Sequence, residues 1–181
     1  MLETERVKHM IKRLARMDAD GSWSDGLNPA QRMALEYLAR ANRFSRKPSD
    51  VAEFMGSTRG TISQTLKALC ANGYVAETRS DTDKRSLSYE LTKQGRKALT
   101  SSDLLGSTLD VLASRELQNL SDSLSIIVDQ ALKKNGQKAF GICKQCQHFS
   151  SRKTGGFCKL LEVPLERSET EKICVEQRSS A

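Results

Sequence analysis

Apolar residues recur at intervals of three or four positions along most of this chain, a period that predicts amphipathic helices rather than strands. The first stripe lies in a helix predicted for residues 3–19 and consists of Val7, Met10, Ile11, Leu14 and Met17. Asn28-Pro29 combines a capping residue with a proline suited to the first helical position, so we expect a second helix from there to near Asn42. A third, short helix is predicted to begin at Pro48 or Ser49.

The stretch from Gly56 to Tyr74 has the pattern of a DNA-recognition helix. Ile62, Leu66 and Leu69 form an apolar stripe at helical spacing. Small or polar residues suited to base edges and phosphates surround this stripe, and the predicted DNA contacts are Thr58, Arg59, Gly60, Thr61, Gln64 and Lys67. Taken alone, the helix is more simply an ordinary amphipathic core helix. A short helix, a turn containing glycine and this helix together indicate a helix-turn-helix.

The segment after the helix predicts a two-stranded wing. Residues 74–78 and 87–91 have strand-like composition, and the segment between them is charged or small and polar. A charged hairpin tip is usually only solvated. Because this one follows a candidate recognition helix, we expect Lys84 or Arg85 to reach the DNA backbone or the minor groove.

Helical periodicity resumes beyond the wing. Thr92 is positioned to cap a helix that continues to about Leu112, with a bend expected at Gly106. Residues 114–135 form a further helix whose apolar stripe comprises Leu117, Leu120, Leu124, Ile127, Val128 and Leu132. This stripe and the one in residues 3–19 have no other obvious surface to pack against, which favours a homodimer. Asn135-Gly136 is expected to be a flexible break before the tail.

Charge and composition limit the classes of function that are possible. The formal net charge is +7, and residues 40–97 hold twelve Lys or Arg against six Asp or Glu. A positive excess over the predicted helix and wing favours binding to a polyanion such as DNA. No apolar run approaches the length of a membrane span and no secretory signal precedes the first helix, so we expect a cytoplasmic protein without a membrane partner. An enzyme is disfavoured, because there is no glycine-rich phosphate loop and no nucleophile with a recognisable base.

Three stretches closely resemble the MarR family of winged-helix transcriptional regulators: residues 28–42, residues 56–74 and residues 81–99. The wing is the most specific of these, with Asp81, Asp83 and Arg85 followed by Leu91-Thr92 and Gly95. The resemblance implies a homodimer that places two recognition helices in successive major grooves of a near-palindromic operator. By analogy, Asp83 would orient Arg85. The family also often binds small phenolic effectors, which no residue pattern in this chain singles out.

The tail from Gln137 departs from the family pattern in having four cysteines with the spacing Cys143-x2-Cys146-x11-Cys158-x15-Cys174. Disulfides are disfavoured in the reducing cytoplasm. The tail also has few large apolar residues for its length, so four thiolates binding one metal centre would explain how it folds. Cys70, in the recognition helix, is most simply a small core residue.

Two metal centres compete for these thiolates. Structural zinc prefers two paired knuckles, whereas only Cys143 and Cys146 are paired here. A [4Fe-4S] cluster accepts ligands from more distant loops, and the layout weakly resembles that of high-potential iron–sulfur proteins. Three phenylalanines are placed to shield such a cluster: Phe140, Phe149 and Phe157. His148 is an alternative zinc ligand, although a surface or supporting role is the simpler interpretation.

The predicted fold is mainly α with a small β-wing, and we divide it into four segments. These are a dimerisation helix and loop (1–27), a winged helix-turn-helix (28–97), dimerisation helices (98–136) and a metal-stapled tail (137–181). The predicted function is that of a dimeric regulator that senses redox state, oxygen or iron through the cluster. The alternative is a regulator whose zinc-bound tail is structural or docks a partner.

Overall fold

The computed structural model describes residues 2–21, 26–79, 87–100 and 104–178. The wing-tip residues Asp81, Asp83, Lys84 and Arg85 lie outside this description, so their predicted roles stay predictions. The helices before the tail are α1 (Glu3–Gly21), α2 (Pro29–Arg40), α3 (Pro48–Phe54), α4 (Arg59–Ala71), α5 (Lys93–Thr100), α6 (Leu104–Leu109) and α7 (Ser114–Lys134). The wing strands are β1 (Val75–Arg79) and β2 (Leu87–Leu91).

The helix-turn-helix prediction is confirmed, with α2, α3 and α4 packed around one core. Asn28 and Gln31 form a reciprocal capping box at the start of α2, with Pro29 as its first residue. The residues that fill the core are fully or almost fully buried and include Leu35, Tyr37, Leu38, Val51, Ile62, Leu66, Leu69 and Val75. The apolar stripe of α4 therefore faces inward, which leaves its polar side outward.

The junction between α4 and the wing explains two motif residues. Gly73 has a φ of +76°, and the N–H of Tyr74 donates to the carbonyl of Leu69, a pattern that ends a helix at a glycine. Thr92 caps α5 by accepting from the N–H of Gly95. A Cβ at Gly95 would lie 2.1 Å from the carbonyl oxygen of Tyr74, so only glycine fits there.

The helices outside the winged helix expose apolar faces. On α1, the stripe from Val7 to Met17 is between a third and a half exposed. On α7, Leu117, Leu120, Leu124, Ile127 and Val128 are similarly exposed. In the described part of the chain, no helix is long and apolar enough to cross a membrane. The helix predicted from Thr92 is described as α5 and α6, and residues 101–103 between them lie outside the description, so a single bent helix stays a prediction.

The break after α7 is an ordered turn. Gly136 has a φ of +62°, and the N–H of Gln137 donates to the carbonyl of Leu132. The turn brings Gln137 beside the turn between α3 and α4, because a Cβ added at Gly56 would lie 3.0 Å from the Gln137 Nε2 atom. The predicted break therefore falls at a turn that leads the chain back toward the winged helix.

The tail forms small sheets that pack against the winged helix. A three-stranded antiparallel sheet contains β4 (Phe149–Arg152), β5 (Gly155–Cys158) and β6 (Val163–Glu166), followed by the short helix α8 (Arg167–Thr170). Strands β3 (Gly141–Ile142) and β7 (Ile173–Cys174) pair with each other. Ile173 also forms a parallel bridge with Ala41 and is buried in the winged-helix core.

Candidate nucleic-acid interface and cysteine cavity

The six α4 residues predicted to contact DNA all lie on the exposed surface at or after the helix N-terminus. Thr58 is the N-cap and accepts a hydrogen bond from the N–H of Thr61, while the two hydroxyl oxygens are 2.8 Å apart. Arg59, Gln64 and Lys67 are free to extend from the surface. This end of the helix can therefore offer donors to base edges and cations to phosphates.

The wing continues this surface. β1 and β2 pair in antiparallel register from Val75 opposite Leu91 to Arg79 opposite Leu87. Arg79 is exposed where the described part of β1 ends, and its Nε atom is 3.3 Å from Glu77 Oε1. Arg79 thus adds an exposed cation to the described part of the wing. In the sequence it is only one of several charged residues near the predicted tip.

The four tail cysteines line one small, partly open recess. They come from separate elements: Cys143 begins a 3-10 turn, Cys146 follows that turn, and Cys158 and Cys174 end β5 and β7. The other residues that line the recess are His148, Phe149, Leu160, Leu165 and Glu176. Among the described residues, no three His, Cys, Asp or Glu side chains stand close enough together to hold a single metal ion.

Hydrogen bonds and burial shift the pKa values of the two innermost thiols. Cys143 and Cys174 are buried and hydrogen-bonded to each other. The Cys143 thiol lowers the pKa of Cys174, assisted by donors on Asn42, the Glu176 backbone and Ser45 and opposed by burial. The same Cys174 contact, together with burial, raises the pKa of Cys143. The surroundings thus favour the thiolate form at Cys174 and the neutral thiol at Cys143.

Of the three phenylalanines predicted to lie beside the cysteines, only Phe149 packs against them. Phe149 packs against the cavity cysteines as expected, and His148 lines the recess with its Nε2 atom 3.2 Å from Gln147 Nε2. Phe140 instead packs edge-on against Tyr37 in the winged-helix core, with 6.1 Å between ring centroids. Phe157 lies under the Arg152 guanidinium, 4.0 Å from it. Cys70 is half-buried and packs against the same core as Tyr37, in agreement with its expected structural role.

Sequence reasoning missed the contribution of the connector between α2 and α3 to the cysteine cavity. Asn42 is fully buried, and its Nδ2 atom donates to the Sγ of Cys143 at 3.1 Å. Ser45 is also fully buried, and its Oγ accepts from the N–H of Val175 at 2.9 Å. Phe44 packs against the cavity cluster. The sequence of the connector predicts only a basic loop, and no periodic pattern indicates that these polar residues are buried.

Comparisons with known proteins identify the winged helix. Residues 25–86 match the model of the MarR family. The transcriptional repressor MprA of Escherichia coli (strain K12) is 28% identical over 99 residues, which cover 55% of this chain and 56% of the repressor. The matched region thus spans little more than half the length of that curated relative.

Solved structures share the fold. A MarR transcriptional regulator from Methanosarcina mazei Go1 is 22% identical with a TM-score of 0.58, covering 71% of this chain and 98% of that one. The MepR–DNA complex of S. aureus is 18% identical with a TM-score of 0.56, covering 72% and 99%. The solved structures thus show a shared winged-helix fold, and residues 25–86 are similar to the MarR family. The family match ends before the cysteine tail.

Proposed function

We propose that this chain is a MarR-family transcriptional regulator that binds a near-palindromic DNA operator as a homodimer and senses redox state, oxygen or iron through a [4Fe-4S] cluster in its tail. The observation that carries DNA binding is the exposed polar face of α4, which stands beside the wing and carries Arg59, Gln64 and Lys67. Cations there neutralise phosphates, and Gln64 has the donor and acceptor groups that read base edges.

Dimerisation is supported by the apolar faces of α1 and α7. Leu14 on α1 is 49% exposed and Ile127 on α7 is 48% exposed, and each belongs to a continuous stripe. Contiguous apolar surface of this kind on a protein marks an interaction site. Because a two-fold operator is read by two identical subunits, a homodimer through these faces fits the proposed DNA target.

The donor chemistry of the cysteine cavity supports a cluster. Four sulfurs around one recess match the ligand set of a [4Fe-4S] cluster. A zinc ion needs its thiolates within about 2.3 Å of one point, and among the described residues no three candidate ligands stand close enough together for a single ion. Cys143, Cys146, Cys158 and Cys174 would hold the cluster, which when bound would supply one-electron redox chemistry. Zinc in a structural or partner-docking tail is the alternative outcome of the experiment below.

The test of the cluster is anaerobic reconstitution of the full-length protein with iron and sulfide, followed by metal analysis and visible absorption. We expect a brown protein with a broad charge-transfer band and iron bound to the tail. Cys158→Ser should abolish the band. Cys70→Ser is the matched control, since Cys70 lies in α4 outside the recess, and it should retain the band. A colourless protein that binds zinc would support the alternative, and a protein that binds neither metal would refute both.

DNA binding is tested by selection from random double-stranded DNA. We expect near-palindromic sites whose half-sites are separated by about one helical turn, 10–10.5 base pairs between their centres. Recovery of sequences with no two-fold relation would count against the dimeric mode of binding.

A further inference from the structure

The tail binds directly to the connector between α2 and α3, which runs from Ala41 to Lys47. The N–H of Asn42 donates to the carbonyl of Ile173 at 2.9 Å, and the N–H of Val175 donates to Ser45 Oγ at the same distance. Cys174 lies between these two tail residues. A displacement of the Cys174 backbone would therefore disturb the connector on both sides.

Two buried side chains of the connector also hold the tail at its cysteines. Asn42 donates from Nδ2 to Cys143 Sγ at 3.1 Å, while its Oδ1 accepts from the N–H of Phe44 at 3.0 Å. This second bond fixes the orientation of the amide, so the donor side points at sulfur. Ser45 holds the residue next to Cys174, because its Oγ accepts from the N–H of Val175. Donors such as the Asn42 amide, placed around thiolate ligands, tune metal affinity and reduction potential.

The opposite side of the connector is bound to the DNA-binding elements. The carbonyl of Arg46 accepts from the N–H of Tyr89 in β2 at 3.0 Å, and the Arg46 guanidinium pairs with Glu90 in the same strand at 2.6 Å. The carbonyl of Ser45 accepts from the Tyr37 hydroxyl at 2.7 Å. The connector thus contacts the cysteine cavity on one side and the wing on the other.

A salt bridge joins the connector to the tail beside the cavity. The Arg43 guanidinium pairs with the buried carboxylate of Glu169 and also donates to the carbonyl of Pro164 at 2.8 Å. Its guanidinium carbon lies 4.6 Å from the centre of the Phe44 ring, which packs against the cysteines. The tail therefore has a defined orientation on the winged helix, as coupling between two sites requires.

We propose that Asn42 and Ser45 are positioning residues for the cysteine centre, and that the connector transmits the state of this centre to the wing of the same subunit. The inference rests on the proposed metal centre and specifies how it would regulate DNA binding. Loading or loss of metal changes the charge and position of Cys143 and Cys174, and the two side chains respond through their hydrogen bonds. Since binding free energies are reciprocally linked, operator DNA would affect metal retention in turn.

The experiment compares full-length wild type, Asn42→Ala and Ser45→Ala after anaerobic reconstitution with iron and sulfide. Asn119→Ala is the matched control, since Asn119 is exposed on α7 away from the apolar stripe. One readout is iron retention in competition with a chelator, where loss of a supporting hydrogen bond should weaken binding about 10–100-fold. The other is the ratio of operator affinities between loaded and metal-free protein, expected at about 5–150-fold for wild type and closer to one for the variants.

Each outcome decides the proposal. Weaker iron retention together with a reduced affinity ratio supports it. Weaker retention with an unchanged ratio overturns transmission through the connector, and unchanged values of both overturn the positioning role as well. If Asn42→Ala does not fold, Asn42→Asp keeps the acceptor for Phe44, replaces the donor to sulfur with a carboxylate oxygen and adds a negative charge there, so iron retention should weaken at least as much. Wild type that binds no metal refutes the cluster and the inference together, whereas loaded wild type with variants like the control refutes the inference alone.

Discussion

The docking of the tail on the winged helix predicts a large effect of Ile173→Ala on stability. Ile173 is only 5% exposed and is buried with core residues of α2, α3 and α4, although it comes from the tail. The substitution removes three carbon groups worth about 0.8 kcal/mol each in transfer free energy. The cavity left behind raises the expected loss to about 2–5 kcal/mol. A tail that only follows the last helix would show no such loss.

Urea unfolding followed by far-UV circular dichroism, at one protein concentration, measures this loss. With a slope of about 2–3 kcal/mol/M, the midpoint should fall by roughly 1 M or more. Ile126→Ala is the matched control because Ile126 is 65% exposed on α7, and its effect should stay within about 0.5 kcal/mol. Equal midpoints for the two variants would show that Ile173 does not pack in the winged-helix core.

Further predictions concern the dimer, the DNA contacts and the wing junction. Leu124→Glu with Ile127→Glu would bury charge in the proposed interface and should yield monomers in sedimentation, whereas an unchanged dimer would exclude that interface. Gln64→Ala should weaken DNA binding by about 1–3 kcal/mol through contacts to one or two base pairs. Arg85→Ala should weaken binding to all sequences and lower the slope of log K against log salt concentration by about one. Wild-type DNA binding by both variants would refute the proposed DNA contacts. Gly95→Ala should lower the free energy of unfolding by about 1–3 kcal/mol, because its Cβ would clash with the Tyr74 carbonyl. An unchanged melting temperature would contradict that close approach.

The winged helix was predictable because its signals are local. The Asn28-Pro29 cap, the stripe of α4 and the glycine at position 73 each act within one or two turns of the chain, and all three are confirmed. Thr92 and Gly95 also act locally, since the cap bond joins residues three positions apart. Periodicity and capping chemistry are properties of neighbouring residues, so a single sequence carries them.

The position of the tail was not predictable because its contacts are long-range. Ser45 and Val175 are 130 positions apart, and β7 contains only two residues, too few for a periodic pattern. The same limit explains Phe140, which was expected beside the cysteines but packs in the winged-helix core. The cysteine spacing shows which residues can bind one metal centre, whereas tertiary packing decides which residues surround them.

The location of the proposed contacts determines how a dimer would respond to partial loading. Asn42 with Cys143, and Ser45 with Val175, are contacts within one chain, so each centre would act on the wing of its own subunit. Independent sites contribute additively to a free energy. A dimer with one loaded centre should therefore show about half of the full change in operator binding free energy, because neither centre needs the other to act. If operator affinity changed only once both centres were filled, the coupling would instead run through the α1 and α7 interface.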